Sequence, residues 1–139
     1  MSITLTHPTA GAGGTPLAIE LPPDLLWVDE FAWTSIEQSR EYTSTGALHV
    51  EEWQKQAGRL ITLEGGADYA WCLRGPLLTL NGWAQQPGLL MTLTHKGTDY
   101  QVIWDHAARP IEAQAVVDYS DPEPTDPYSL TLRFLEMPV

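Results

Sequence analysis

Four histidines and a single cysteine are the residues of this 139-residue chain best suited to metal binding or nucleophilic catalysis. His95 and His106 flank one predicted hairpin, but about eight to ten residues at roughly 3.3 Å each separate them. That separation is too large for two ligands of one zinc ion. His7 and His49 lie in loop-like surroundings and form no HxH or HExxH pattern. The spacing of the histidines therefore predicts no metal site.

Other catalytic patterns give no stronger signal. Cys72 stands in the apolar stretch 69–73, where a buried and inert thiol is the usual outcome. No GxSxG pattern is present, and the glycine-rich segment 11–14 lacks the following lysine and helix start of a phosphate-binding loop. The 18 acidic residues could bring two carboxylates together, a pairing that the sequence neither supports nor excludes. We therefore predict a protein with no catalytic residues and no cofactor.

The charge balance limits the classes of partner. Eighteen acidic residues against seven basic ones give a net charge of −11, which repels phosphate backbones and anionic lipid surfaces. The longest apolar runs are far shorter than the roughly 18 residues that indicate a membrane span. We expect neither direct nucleic-acid binding nor membrane insertion.

The segment 89–104 predicts a β-hairpin whose register can be read from the residues. Lys96-Gly97 suits a two-residue turn, so that His95 faces Thr98. The pairs that follow are Leu93 with Tyr100, Met91 with Val102, and Leu89 with Trp104. These apolar side chains share one face, which we expect to be buried.

Three residues are candidate protein contacts. Leu90 and Ile103 fall on the opposite, more polar face of the same hairpin, a mixture that suits a surface meeting a partner. Trp53 is the third, because its neighbours in 51–56 are polar on both sides and aromatic anchors are enriched at interfaces. About four of the six tryptophans are expected to fill the core.

The remaining patterns predict a mainly β fold. Alternation or β-rich composition predicts strands at 3–6, 17–21, 25–28, 31–40, 60–63, 111–117 and 128–134. A short helix is the alternative for 31–40, where the β-branched and aromatic content favours a strand. One short α-helix is predicted at about 76–86, with Pro76 in its first turn and Pro87-Gly88 after its end. These elements favour a single-domain β-sandwich or small β-barrel. Residues 1–24 would form an N-terminal arm or hairpin with a flexible glycine-rich loop, and residues 25–139 the β-rich core domain.

Taken together, four stretches resemble small structural proteins of bacteriophage tails. They are the GRLITLEGG strand at 58–66, the tryptophan-containing helix after it, the TLTHKGTDYQVIW hairpin at 92–104, and the acidic, proline-rich loop at 120–127. The likeness covers residues 25–136. It is nearest to tail and baseplate proteins of contractile Pseudomonas-type phages and R-type pyocins, including ripcord-like baseplate components.

This resemblance implies a non-catalytic virion protein. Such a protein would be a structural subunit of the baseplate or tube terminus, joining tube, sheath or hub proteins. Several copies would form a ring around the tail axis, located in the virion tail and, during assembly, in the host cytoplasm. The alternative function is a non-catalytic carbohydrate- or protein-binding β-sandwich module that uses Trp53 and nearby acids.

Overall fold

A computed structural model describes residues 2–56, 58–66, 68–118 and 120–137. Within these residues the chain forms eleven strands, one α-helix (α1, Arg74–Ala84) and one turn of 3-10 helix (Ala12–Gly14). The strands are β1 Ile3–His7, β2 Leu17–Leu21, β3 Leu26–Trp27, β4 Ile36–Tyr42, β5 Leu48–Gln54, β6 Leu60–Glu64, β7 Cys72–Leu73, β8 Met91–His95, β9 Thr98–Trp104, β10 Ile111–Ala115 and β11 Pro127–Glu136. The predicted class, a mainly β chain with one short helix, is confirmed.

Nine of these strands form one antiparallel sheet around β11. Along one side of β11 run β9 and then β10, and along the other side run β6 and then β7. Beyond β9 the sheet continues through β8 and β1 to β2, and beyond β6 it ends at β3. Because the terminal strands β2 and β3 do not pair within the described residues, the sheet is open rather than closed into a barrel.

One face of this sheet carries the core, and α1 packs over that face. In β11 the alternate residues Leu130, Leu132 and Phe134 are buried, as expected for a strand with one face inward. The helix adds one apolar stripe at spacings of three and four residues. Full burial of a leucine side chain stabilises the fold by about 1.5–3 kcal/mol. The stripe consists of Leu77, Leu80, Trp83 and Ala84.

The sheet curls around its core. The ring of Trp27 on β3 meets those of His95 on β8 and Tyr100 on β9 edge-on, with centroids 5.1 Å and 5.4 Å apart. Along the sheet, however, β6 and β11 lie between β3 and β9. Nearer the centre, Trp104 and Phe134 stack at 4.8 Å. The tryptophans therefore divide between core and surface: Trp83 and Trp104 are buried and Trp27 packs against the core, whereas Trp53 and Trp71 are exposed.

The register predicted for the hairpin is confirmed over residues 91–102. His95 pairs with Thr98, and the pairs Leu93–Tyr100 and Met91–Val102 follow, while Leu89 lies just before β8. Lys96 and Gly97 have φ of 50° and 90°, the left-handed values that a two-residue turn between twisted strands requires.

Three sequence predictions are corrected by the structure. The strand expected over 31–40 begins only at Ile36, because the chain first turns at Asp29, whose carboxylate accepts hydrogen bonds from the amide and hydroxyl of Thr62 at 2.8 Å and 2.9 Å. The helix predicted at about 76–86 begins two residues earlier, at Arg74, and Pro76 lies in its first turn as predicted. His7 and His49 were expected in loops, but they lie in β1 and β5.

The N-terminal hairpin belongs to the core sheet. Strand β1 lies between β2 and β8, pairing Ile3 with Leu21 on one side and with His95 on the other. Ile3 and Leu5 are fully buried in the same core as β11. Movement of β1 away from the sheet would therefore expose core side chains.

Candidate functional site

The residues with catalytic potential are separated in the structure. His7 is buried at one end of the core, where its Nδ1 accepts a hydrogen bond from the Thr9 amide at 3.0 Å and its Nε2 bonds to Oε1 of Gln86 at 3.0 Å. This pattern requires the tautomer with the proton on Nε2. His95 is half-buried beside Trp27, where burial and the nearby Lys96 lower its pKa below the ordinary 6.5. Among the described residues, no three His, Cys, Asp or Glu side chains are grouped for metal binding.

The Cys72 thiol is enclosed at the junction of β7 and α1. Its Sγ lies 3.5 Å from the carbonyl oxygen of Leu73, and burial raises its pKa from 9.0 to about 11. A thiol of this kind remains protonated at neutral pH and is a poor nucleophile.

The most unusual feature of the molecule is a hairpin that projects from the body. Strands β4 and β5 pair with each other over seven residues, from Ile36–Gln54 to Tyr42–Leu48, and form a separate two-stranded sheet. Every side chain of these two strands is exposed except that of Ser39, which is half-buried. An isolated two-stranded hairpin is at best marginally stable in water. A hairpin of this length with no core of its own therefore suits an element that meets another molecule.

Local hydrogen bonds define both ends of this projecting hairpin. At its tip the Thr43 amide donates to the Ala47 carbonyl at 2.7 Å, and Gly46 supplies a φ of 84°. At its base the Lys55 amide donates to the Ser35 carbonyl at 2.6 Å. The hairpin thus leaves and re-enters the body at one point.

The two faces of the projecting hairpin differ in chemistry. We call one the aliphatic face; it consists of Ile36, Gln38, Arg40, Tyr42, Leu48, Val50, Glu52 and Gln54. We call the other the acidic face; it consists of Glu37, Ser39, Glu41, His49, Glu51 and Trp53. The first combines four large apolar side chains with one cation and one anion, and the second carries three carboxylates and an exposed tryptophan.

Trp53, a candidate contact from the sequence, lies on the acidic face and is 54% exposed. It pairs across the strands with Glu37, whose carboxylate forms an ion pair with Lys55 at 3.7 Å. The ammonium of Lys55 also lies 5.3 Å from the ring of Trp33. Phe31, close in sequence to the base of the hairpin, is 93% exposed and is a further candidate anchor. The sequence did not identify it as a contact residue because its pattern placed Phe31 in a predicted strand.

Leu90 and Ile103, the other two candidates, lie at a second exposed surface on the outer face of the main sheet. Leu135 pairs with Ile103 on one side and with Leu60 on the other, so three apolar residues stand side by side across β6, β11 and β9. Leu60 and Leu90 are exposed, whereas Ile103 and Leu135 are half-buried. We call these four residues the outer row. Sequence alternation identified two of them, and the strand order adds the others.

The surface also holds open depressions. One of about 490 Å³ runs along β10 and β11 and is lined mainly by polar residues, among them Arg109, Glu112 and Thr131. Another, of about 270 Å³, separates α1 from β10 and contains Leu78 and Ile111. Neither gathers the catalytic candidates His7, His95 and Cys72.

In comparisons with known proteins, no family model, curated protein or solved structure matches this chain. No helix among the described residues is long and apolar enough to cross a membrane.

Proposed function

We propose that this protein is a non-catalytic structural subunit that joins neighbouring proteins in a larger assembly through its projecting hairpin. The observation that carries this proposal is the hairpin itself, because its two strands pair only with each other and hold five large apolar side chains exposed to water. These are Ile36, Tyr42, Leu48, Val50 and Trp53. Exposed apolar patches of this kind mark interaction sites.

The assembly that we propose is a phage tail, at the baseplate or tube terminus. The support is the resemblance over residues 25–136, together with a compact body and a long exposed hairpin, which together suit a part that links larger components. Its partners would be tube, sheath or hub proteins, and several copies would surround the tail axis. In this proposal the protein acts in the virion tail and is assembled in the host cytoplasm.

The acidic face gives the hairpin a preference among partners. Glu37 and Glu51 lie beside Trp53, and Glu41 lies further along the same face, so a matching surface on a neighbour would offer basic side chains next to an apolar pocket. The same charge, within a net −11, opposes direct contact with nucleic acid. Phe31 would add a second aromatic anchor near the base.

The test is co-purification with defined tail components. Tagged chain is co-expressed with the tube, sheath and hub proteins of a contractile phage, and each partner retained on the affinity resin is quantified. We expect at least one to be retained by the wild type and largely lost with Trp53→Ala, because an anchor of this kind typically contributes more than about 1 kcal/mol. Trp71→Ala, at another exposed tryptophan, is the matched control. Retention of no tail protein, or location of the chain outside any tail by electron microscopy, would contradict the proposal.

A carbohydrate-binding module is the second candidate, and the exposed ring of Trp53 beside the Glu37 and Glu51 carboxylates favours it. Aromatic rings can stack on sugars while carboxylates accept hydrogen bonds from hydroxyl groups. Reproducible glycan-array binding that is lost in Trp53→Ala would support this function over the structural one.

A further inference from the structure

The charges of the projecting hairpin are divided unequally between its faces. The acidic face holds Glu37, Glu41 and Glu51, of which Glu37 is paired with Lys55, so the face keeps an excess of negative charge and two such faces would repel each other. The aliphatic face holds one cation, Arg40, and one anion, Glu52. Its charges therefore cancel, and of the two faces it is the one on which a second copy of this negatively charged chain could pack.

The positions of these two charges are self-complementary. Arg40 pairs with Val50 and Gln38 pairs with Glu52, so the cation and the anion lie on neighbouring positions of opposite strands. A two-fold axis that crosses the strands between these positions brings Arg40 of each copy beside Glu52 of the other. The same axis places Ile36 of one copy opposite Tyr42 of the other, so apolar side chains meet at both ends of the paired faces.

Both charged groups are available for this contact. Arg40 forms no ion pair with any described residue, and it is exposed. Glu52 accepts a hydrogen bond from the Gln38 amide at 2.8 Å, which holds the carboxylate over the aliphatic face. The exposed fractions of Ile36, Leu48 and Val50 lie between 40% and 51%, so the apolar surface around the charges is open as well.

We propose that two copies of this chain pair through the aliphatic faces of their projecting hairpins, about a two-fold axis. This inference rests on the proposed function, in which the hairpin is an assembly element, and it adds the partner of one face. The paired strands are seven residues long, about 23 Å at roughly 3.3 Å per residue. A face of that length and only two strands wide buries less area than the roughly 800 Å² that each partner buries in a standard complex. We therefore expect a weak dimer whose population depends on concentration.

Sedimentation velocity of the full chain tests the pairing, from low micromolar to near-millimolar concentration and at low and high salt. We expect a monomer–dimer equilibrium that shifts toward dimer as salt rises, since salt screens the repulsion between two chains of charge −11. A monomer throughout the series would overturn the proposal.

Charge reversal distinguishes this interface from any other dimer contact. Arg40→Glu makes the face wholly acidic and Glu52→Arg makes it wholly basic, so each variant alone is expected to lose most of its dimer. Mixed together, the two variants should restore association, because each face then meets its opposite charge. Glu51→Arg on the acidic face is the matched control and should dimerise at least as well as the wild type. Circular dichroism confirms that all three remain folded.

The outcomes separate this inference from the proposed function. Folded variants that dimerise like the wild type, or a mixture that stays monomeric, would overturn the pairing even if tail proteins still co-purify. Conversely, restored association in the mixture supports the pairing whichever assembly contains the chain.

Discussion

Removing the projecting hairpin tests whether it belongs to the folded body. Replacing residues 36–54 with Asn-Gly should leave the body intact, because the Lys55 amide and the Ser35 carbonyl already meet at the hairpin base. A two-residue Asn-Gly turn can connect such neighbouring strands. The deletion removes no buried side chain, and the most buried residue that it removes is the half-buried Ser39.

The expected energy change is small and can be estimated from the chain. The connection between β3 and β6 spans residues 28–59, and the deletion shortens it to about half. Each halving of a flexible loop stabilises the fold by about 0.6 kcal/mol. Because the core keeps all of its side chains, we expect the free energy of unfolding to change by less than about 1 kcal/mol, or the melting temperature by about 5 °C at most.

Urea unfolding followed by far-ultraviolet circular dichroism measures this change. Leu132→Ala calibrates the assay, because truncating a fully buried leucine should cost about 2–5 kcal/mol. If the hairpin deletion destabilised the body by more than about 2 kcal/mol, the hairpin would have to be part of the fold, and its exposed residues would no longer argue for a partner.

Three further predictions follow from particular side chains. Gly97→Ala should destabilise the fold by about 1 kcal/mol because φ is 90° there. Gly82→Ala in α1 should stabilise it by a similar amount because nothing lies within 4 Å of the added Cβ. A urea midpoint that rises for Gly97→Ala or falls for Gly82→Ala would contradict the corresponding prediction. Cys72 should react with a thiol reagent at pH 8 at least about 100-fold more slowly in the folded than in the unfolded chain. Because its folded pKa is raised, stability should also fall as pH rises from 9.0 toward about 11, and Cys72→Ala should remove that part of the loss. The lowered pKa of His95 has the opposite sign: stability should fall as pH drops below 6.5, and His95→Gln should lessen the drop in the urea midpoint between neutral pH and about pH 5.

Local patterns were sufficient to predict much of the main sheet. The register of β8 and β9 follows from one two-residue turn at Lys96-Gly97 and from strict alternation on both sides of it. The inward set of β11, with Leu130, Leu132 and Phe134, follows from the same alternation. In each of these strands one face is buried, and burial is what imposes an apolar period of two on the sequence.

The candidate site was harder to predict, because it lacks the burial that makes strands recognisable. Strand β5 alternates Leu48 and Val50 with His49 and Glu51, but Glu52 interrupts the apolar series. Neither face of this strand packs on a core, so an unbroken apolar series is not required. The signal that could have found it is the matching segment 36–42 across a Thr- and Gly-containing turn. Long-range contacts are also invisible locally: His7 is positioned by Gln86, far along the chain.

The central position of β11 has a consequence for how the molecule is made. Residues 127–136 pair with partners from 60–64, 72–73, 102–104 and 111–115, so these four segments depend on a strand that follows all of them in the chain. During synthesis they must wait, with core side chains exposed, until the ribosome has released residue 136. Folding of the main sheet is therefore slow, since most pairings close long loops.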